Sequence, residues 1–168
     1  IVYYIYAYVT MVREKEIAAG DLINITVPTG NFGNILAAYY AREMGLPVKT
    51  LICASNENKV LFDFFSTGIY DRNREFILTS SPSMDILVSS NLERLIYEAA
   101  GNDAEKCSAY MEALRSGGRY TITDEMKKRM EIFFGGTADE KETAAAIRHY
   151  YNEKSYINRK QRTSNINN

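Results

Sequence analysis

Residues 22–34 read Leu22-Ile23-Asn24-Ile25-Thr26-Val27-Pro28-Thr29-Gly30-Asn31-Phe32-Gly33-Asn34, and this stretch decides the fold. Its first six residues are a short, mostly apolar run, the pattern of a buried strand. Pro28 has no N–H for a ladder and is expected to end that strand. Thr29–Asn34 is a loop. Residues 35–44, rich in Ala and Tyr, read as a helix stopped by Gly45, with Pro47 beyond. Val48-Lys49-Thr50-Leu51-Ile52-Cys53-Ala54 is a second buried strand. A strand–helix–strand crossover makes the two strands parallel.

The apolar run Ile1-Val2-Tyr3-Tyr4-Ile5-Tyr6-Ala7-Tyr8-Val9 opens a helix over 1–12. It has no basic start and no small-residue cleavage site, so it is no signal peptide. It meets Arg13-Glu14-Lys15-Glu16 too early for the ~20 apolar residues of a membrane span. It reads as a core helix cut open at its N-terminal end, which makes the chain an expected piece of a longer protein. After the second strand, Ser55-Asn56-Glu57-Asn58 opens a short helix through Phe65. Residues 76–79 suit a short strand. Ser90 and Glu93 have capping-box spacing ahead of a helix to Ala100. Helices follow over 106–115 and over 125–134, the latter capped by Asp124. A further capping-box pair, Thr137 and Glu140, precedes a helix to Glu153. The expected class is α/β, a parallel strand–helix–strand core followed by a mainly helical C-terminal part. Residues 1–157 form the folded unit. Residues 158–168 have one aliphatic side chain in eleven and read as a disordered or non-native tail.

Composition narrows the function. The 168 residues carry 20 Lys+Arg against 21 Asp+Glu, a net charge of −1 that argues against a dedicated nucleic-acid binder. Hydrophobic residues at 46% support an ordinary core. Two cysteines, Cys53 and Cys107, make no disulfide framework and no metal cluster, and fit a reducing compartment. The only histidine, His149, has no carboxylate–serine or metal pattern around it. Met126, Met130 and Phe133-Phe134 read as a core stripe, and Tyr70-Asp71-Arg72-Asn73-Arg74 as a solvated loop.

The chemistry is carried by Gly30-Asn31-Phe32-Gly33-Asn34. The loop lies between the carboxyl end of a buried strand and a helix start, where α/β folds bind ligands. A helix N-terminus offers unpaired N–H groups and a positive dipole end to a phosphate. The glycines allow close backbone approach. No Lys-Ser/Thr pair completes a P-loop, and the three-glycine dinucleotide spacing is absent. Two readings stay open at this level: an anion site for a cofactor phosphate, or a tight strand–helix turn without a ligand.

The chain resembles the threonine synthase family. The likeness rests on Val27–Asn34, Met44-Gly45-Leu46-Pro47, Ala54-Ser55-Asn56-Glu57-Asn58, Phe64-Phe65-Ser66-Thr67-Gly68-Ile69-Tyr70-Asp71-Arg72-Asn73-Arg74 and Ser81-Pro82-Ser83-Met84-Asp85-Ile86. It runs from residue 1 to about 156. The resemblance implies a cytoplasmic pyridoxal-phosphate enzyme of the tryptophan-synthase-β type. Such an enzyme converts O-phospho-L-homoserine and water to L-threonine and phosphate, a carbon–oxygen lyase step in amino-acid biosynthesis. The cofactor's 5′-phosphate would fall on Gly30, Asn31, Phe32, Gly33 and Asn34. Ser83-Met84-Asp85 and Ser89-Ser90-Asn91 with Arg94 would lie on the substrate side, with an ordinary solvated face as the alternative for Arg94.

Two family features are missing. The Schiff-base lysine of a Phe-Lys-Asp motif has no counterpart among the nine lysines at 15, 49, 59, 106, 127, 128, 141, 154 and 160. The Asp-Pro-His-Thr segment that meets the cofactor ring is also absent, since Ser155-Tyr156-Ile157 is followed by Asn158-Arg159. The implied position is internal to C-proximal, and the chain alone is expected to be inactive. The alternative is a non-catalytic α/β module for phosphate binding or interaction. No nucleic-acid, membrane or metal partner is expected. Self-association through exposed apolar surface is.

Overall fold

The computed structural model describes residues 1–154. Its centre is a three-stranded parallel sheet of order β1-β2-β5, built from β1 (Ile23–Pro28), β2 (Val48–Ser55) and β5 (Phe133–Thr137). β1 pairs parallel to β2 from Ile23↔Val48 to Pro28↔Ala54, as the crossover requires. Helix α2 (Gly33–Glu43) makes that crossover and buries Ile35, Leu36, Ala38 and Ala41. β2 is the central strand, with Val48, Leu51, Cys53 and Ser55 buried. β1 is buried on one face only, because nothing among the described residues covers Asn24, Thr26 and Pro28. Pro28 belongs to β1 and is its last residue, a position where its missing N–H costs no ladder bond.

Helix α1 (Val2–Arg13) leads into β1. Helix α3 (Val60–Thr67) packs Val60, Leu61 and Phe64 inward and begins later than the sequence suggests. Residues 55–59 are instead held as a loop by their own side chains. Helix α4 (Leu92–Ala99) buries Leu92, Leu95, Ile96 and Ala99, a strict i, i+3, i+4, i+7 stripe. Helix α5 (Ala104–Gly117) lies half-buried against it.

Three expectations need correction. The helix over 125–134 stops early, as α6 (Asp124–Arg129). Phe133-Phe134-Gly135-Gly136-Thr137 is β5, parallel to β2 from Leu51↔Phe133 to Ser55↔Thr137. The Gly-Gly pair is not a helix stop. A Cβ on Gly135 would stand 3.0 Å from the Phe62 Cα, so glycine is what lets α3 lie on the sheet. Met126 and Met130 are core, as expected of the stripe, but only Phe133 of the two phenylalanines is buried.

Residues 70–74 are not simply a solvated loop. Ile69–Asp71 is strand β3 and pairs antiparallel with β4 (Arg119–Thr121). Tyr70 is buried, and its ring stacks on Tyr120 at 5.3 Å and 8°. Residues 76–79 join no ladder. Asn58 and Asp85 side chains hold their backbone, through Ile77 N–H to Asn58 Oδ1 (3.0 Å) and Thr79 N–H to Asp85 Oδ2 (2.9 Å).

The caps shift by a residue or two. Asn91 precedes α4 with no side-chain cap bond, so the Ser90–Glu93 box does not form. Thr123, not Asp124, caps α6. At α7 (Glu140–Lys154) the box is Asp139 with Glu142, closed by reciprocal bonds of 2.9 and 2.7 Å, two residues beyond the expected Thr137 and Glu140. His149 on α7 is exposed beside Glu153 at 3.3 Å. Residues 158–168, and with them the tail expectation, lie outside the described residues.

Candidate functional site

The loop of residues 29–34 stands at the carboxyl ends of β1 and β2. Thr29 is buried, its N–H donating to Ala54 C=O (2.8 Å) and its hydroxyl to Val27 C=O (2.7 Å), so the loop starts from a fixed point. Phe32 is the next anchor. Its backbone is left-handed (φ 66°) and its ring is 1% exposed. That conformation costs a non-glycine residue about 1–2 kcal/mol. The ring offsets it in an aromatic cluster, 5.5 Å from Phe133 and 5.9 Å from Phe65.

The polar atoms of the loop divide by direction. Gly30 C=O accepts from Ser89 Oγ (2.8 Å), and Asn31 C=O accepts from Asn91 N–H (3.2 Å) and Asn91 Nδ2 (2.8 Å). Phe32 C=O starts α2 by accepting from Leu36 N–H (3.0 Å). Among the described residues, the N–H groups of Asn31, Phe32, Gly33, Asn34 and Ile35 meet no protein acceptor. The last three are first-turn amides of α2, whose positive dipole end adds to them. A left-handed residue among such amides makes the concave set that binds anions.

The surroundings explain the glycines. A Cβ on Gly30 would stand 2.6 Å from the Ser83 carbonyl oxygen, in the short 3-10 turn Pro82–Met84 that lies against the loop. A Cβ on Gly33 would come within 3.2 Å of Asn91 Nδ2. Asn34 is steered from α1, where the Tyr4 hydroxyl donates to Asn34 Oδ1 (2.9 Å) and leaves Nδ2 to donate elsewhere.

A buried polar network fixes the far wall. Asp85 Oδ1 accepts from Asn56 Nδ2 (2.6 Å), Thr79 Oγ1 (2.8 Å) and Asn58 Nδ2 (3.1 Å). Two separated sequence blocks, 54–58 and 81–86, therefore meet at Asp85. The spacing of a single motif could not show this, nor that Thr29 anchors the loop, nor that Ser89, expected on the substrate side, instead holds Gly30 C=O. Lys59, the lysine nearest the loop in sequence, is exposed just before α3 and borders a small cavity of ≈ 10 Å³ with Thr29 and Asn56.

The residues expected on the substrate side divide. Ser90 is exposed. Asn91 spends its amide on Asn31 C=O. Arg94 donates to Asn91 Oδ1 (3.0 Å), with its side chain 53% exposed, and faces a cleft of ≈ 980 Å³ between α2, α4, α5 and α6. None of the loop residues lines that cleft, and two of its arginines are already paired, Arg42 with Glu43 and Arg129 with Glu125. Burial pushes the Cys53 thiol up to about 11, and Cys107 is also raised, so neither presents a ready thiolate.

Fold and site together define an α/β unit on a parallel sheet, with a run of amides that meet no acceptor among the described residues at its strand ends. No family model matches the chain. Over 159 residues, 94% of its length, it is 43% identical to human threonine synthase-like 1, and it covers 21% of that protein. It is 34% identical to threonine synthase of Saccharomyces cerevisiae over 92% of its length. The structure of PLP-bound threonine synthase from Brucella melitensis superposes with a TM-score of 0.86 at 39% identity, over 93% of this chain and 32% of that one. These matches support reading the chain as one segment of a threonine synthase. It spans about a fifth to a third of the relatives it matches. No helix among the described residues is long and apolar enough to cross a membrane.

Proposed function

We propose that this chain is the phosphate-gripping segment of a pyridoxal-phosphate enzyme that makes L-threonine and phosphate from O-phospho-L-homoserine and water. One observation carries the reading. Among the described residues, five consecutive amides, Asn31 to Ile35, meet no protein acceptor, while the neighbouring carbonyls are tied back on Ser89 and Asn91. A dianionic phosphate ester has the charge and the acceptor count to satisfy them. Gly30 leaves room for the wall at Ser83 to close on the loop. The match to a PLP-bound relative supports the identity of the ligand.

When bound, pyridoxal phosphate supplies an electron sink for carbon–oxygen bond cleavage. The chain's own part is to hold and orient. The amides at 31–35 take the phosphate, and Asn34 Nδ2 adds a side-chain donor. The network on Asp85 keeps the 77–85 wall in place. Of the three residues expected on the substrate side, Asn91 braces the loop through Asn31 C=O, while Arg94 is held on Asn91 Oδ1 and faces the separate cleft. None of the nine lysines has the context of a Schiff-base residue, so the covalent anchor lies outside these residues and the chain alone is inactive. Two free thiols fit a reducing compartment such as the cytoplasm.

The test is titration of the isotopically labelled chain with pyridoxal phosphate and with inorganic phosphate. The amides of residues 31–35 should shift together. Borohydride reduction of the cofactor-treated chain should trap no adduct at one specific lysine. Loop amides that stay still would leave the non-catalytic module as the reading.

A further inference from the structure

A trans peptide group is planar, so the C=O of one residue and the N–H of the next point in opposite directions. Fixing a carbonyl therefore aims the following amide. Gly30 C=O is fixed by Ser89 Oγ at 2.8 Å, which turns Asn31 N–H away from Ser89. Asn31 C=O is fixed twice by Asn91, from Nδ2 at 2.8 Å and from N–H at 3.2 Å, which turns Phe32 N–H away in the same manner. Those two amides precede α2, so helix geometry does not orient them as it does Gly33, Asn34 and Ile35. Their direction depends on the brace.

The brace has its own support. Ser89 is buried at 6% exposure, and its N–H donates to the Tyr70 hydroxyl at 2.8 Å. That hydroxyl donates in turn to Leu87 C=O at 3.1 Å. Tyr70 is pinned by stacking on Tyr120 and by an edge contact to Phe64 at 5.7 Å. A line of contacts thus runs from the small β3–β4 sheet, through residues 87–91, to the two carbonyls of the loop.

We propose that Ser89 and Asn91, seated on Tyr70, are positioning residues that aim the Asn31 and Phe32 amides into the phosphate pocket. This inference rests on the phosphate reading above, yet it makes a claim about the free chain that can be tested separately. Asn91→Asp keeps the shape and removes the Nδ2 donor. Ser89→Ala removes the hydroxyl, and Ser89→Thr keeps it. In the ligand-free chain, the Asn31 and Phe32 amide resonances should move in Asn91→Asp and in Ser89→Ala, and return towards wild type in Ser89→Thr. Those of Gly33 to Ile35 should hold. A hydrogen bond to a charged group is worth about 1.5–3 kcal/mol, so a misaimed amide should weaken binding of inorganic phosphate by about ten-fold or more. Thermal midpoints measured on the same samples show that each variant is folded.

Unchanged Asn31 and Phe32 resonances in both Asn91→Asp and Ser89→Ala would overturn the brace whatever phosphate does. So would phosphate affinity retained within about two-fold. If wild type binds no phosphate while the resonances move as described, the phosphate reading fails and the brace stands as a purely conformational device.

Discussion

Gly30 and Tyr70 show how single residues commit the site. A methyl group on Gly30 would press on a backbone oxygen 2.6 Å away, and backbone yields less readily than a side-chain tip. Gly30→Ala should therefore cost about 1–3 kcal/mol of stability, the usual scale of overpacking. It should also displace the wall at Ser83, so phosphate binding falls with the denaturant midpoint. Tyr70 carries a pH prediction. Burial raises its hydroxyl from 10.0 to about 12. The folded state thus holds that proton more tightly than the unfolded state. Its contribution is complete below about pH 10 and declines as pH climbs towards 12. Two units correspond to on the order of 2–3 kcal/mol. Urea midpoints should drop between about pH 10 and 12, and Tyr70→Phe should flatten that drop, because no phenol remains to ionise. An equal slope in the variant would assign the alkaline loss to other groups, Tyr120 foremost, whose hydroxyl is also raised by burial.

At the level of elements, local chemistry and long-range packing part company. Thr123 caps α6 by accepting from Met126 N–H at 3.2 Å. Thr123→Ala should cost about 1 kcal/mol, read as a shift in the urea midpoint, whereas Asp124→Ala should cost less because Asp124 makes no cap bond. The strand–loop–helix–strand at 22–54 was legible because its signals are local: an apolar run, a proline, glycines at a turn, and an Ala-rich helix stopped by Gly45. The loop's place at the start of a helix was legible for the same reason. β5 was not. Two phenylalanines before Gly135-Gly136 look like the end of a helix, and only the close approach of Phe62 reveals why glycine is needed there. β3 and β4 were equally hidden, three residues each, with partners fifty positions apart. The roles of Ser89 and Thr29 could not be found from spacing because their partners are backbone carbonyls set by the fold, and no residue pattern encodes those.

For the whole molecule, the open surface is what remains to be accounted for. Helix α1 faces solvent with Val2 at 75%, Tyr3 at 85% and Tyr6 at 64% exposure, and Leu22 beside β1 is 66% exposed. Among the described residues, β1 and β5 each pair on one side only, so both outer edges of the sheet offer unpaired backbone. An apolar helix face next to a bare strand edge is the usual ground for association. The chain by itself should self-associate, with sedimentation equilibrium giving an average mass that rises with concentration above 19.1 kDa. The same helix is tied to the site, because Tyr4 bonds Asn34 at the start of α2. Placing charge on the outer face, as in Val2→Glu with Tyr6→Lys, should suppress the rise in mass and leave the loop amides at 31–35 unmoved, since both side chains are exposed and the bond to Asn34 comes from Tyr4. A double variant that still associates would shift the contact to the strand edges, where a proline in place of Thr26 on β1 would be the next discriminating change.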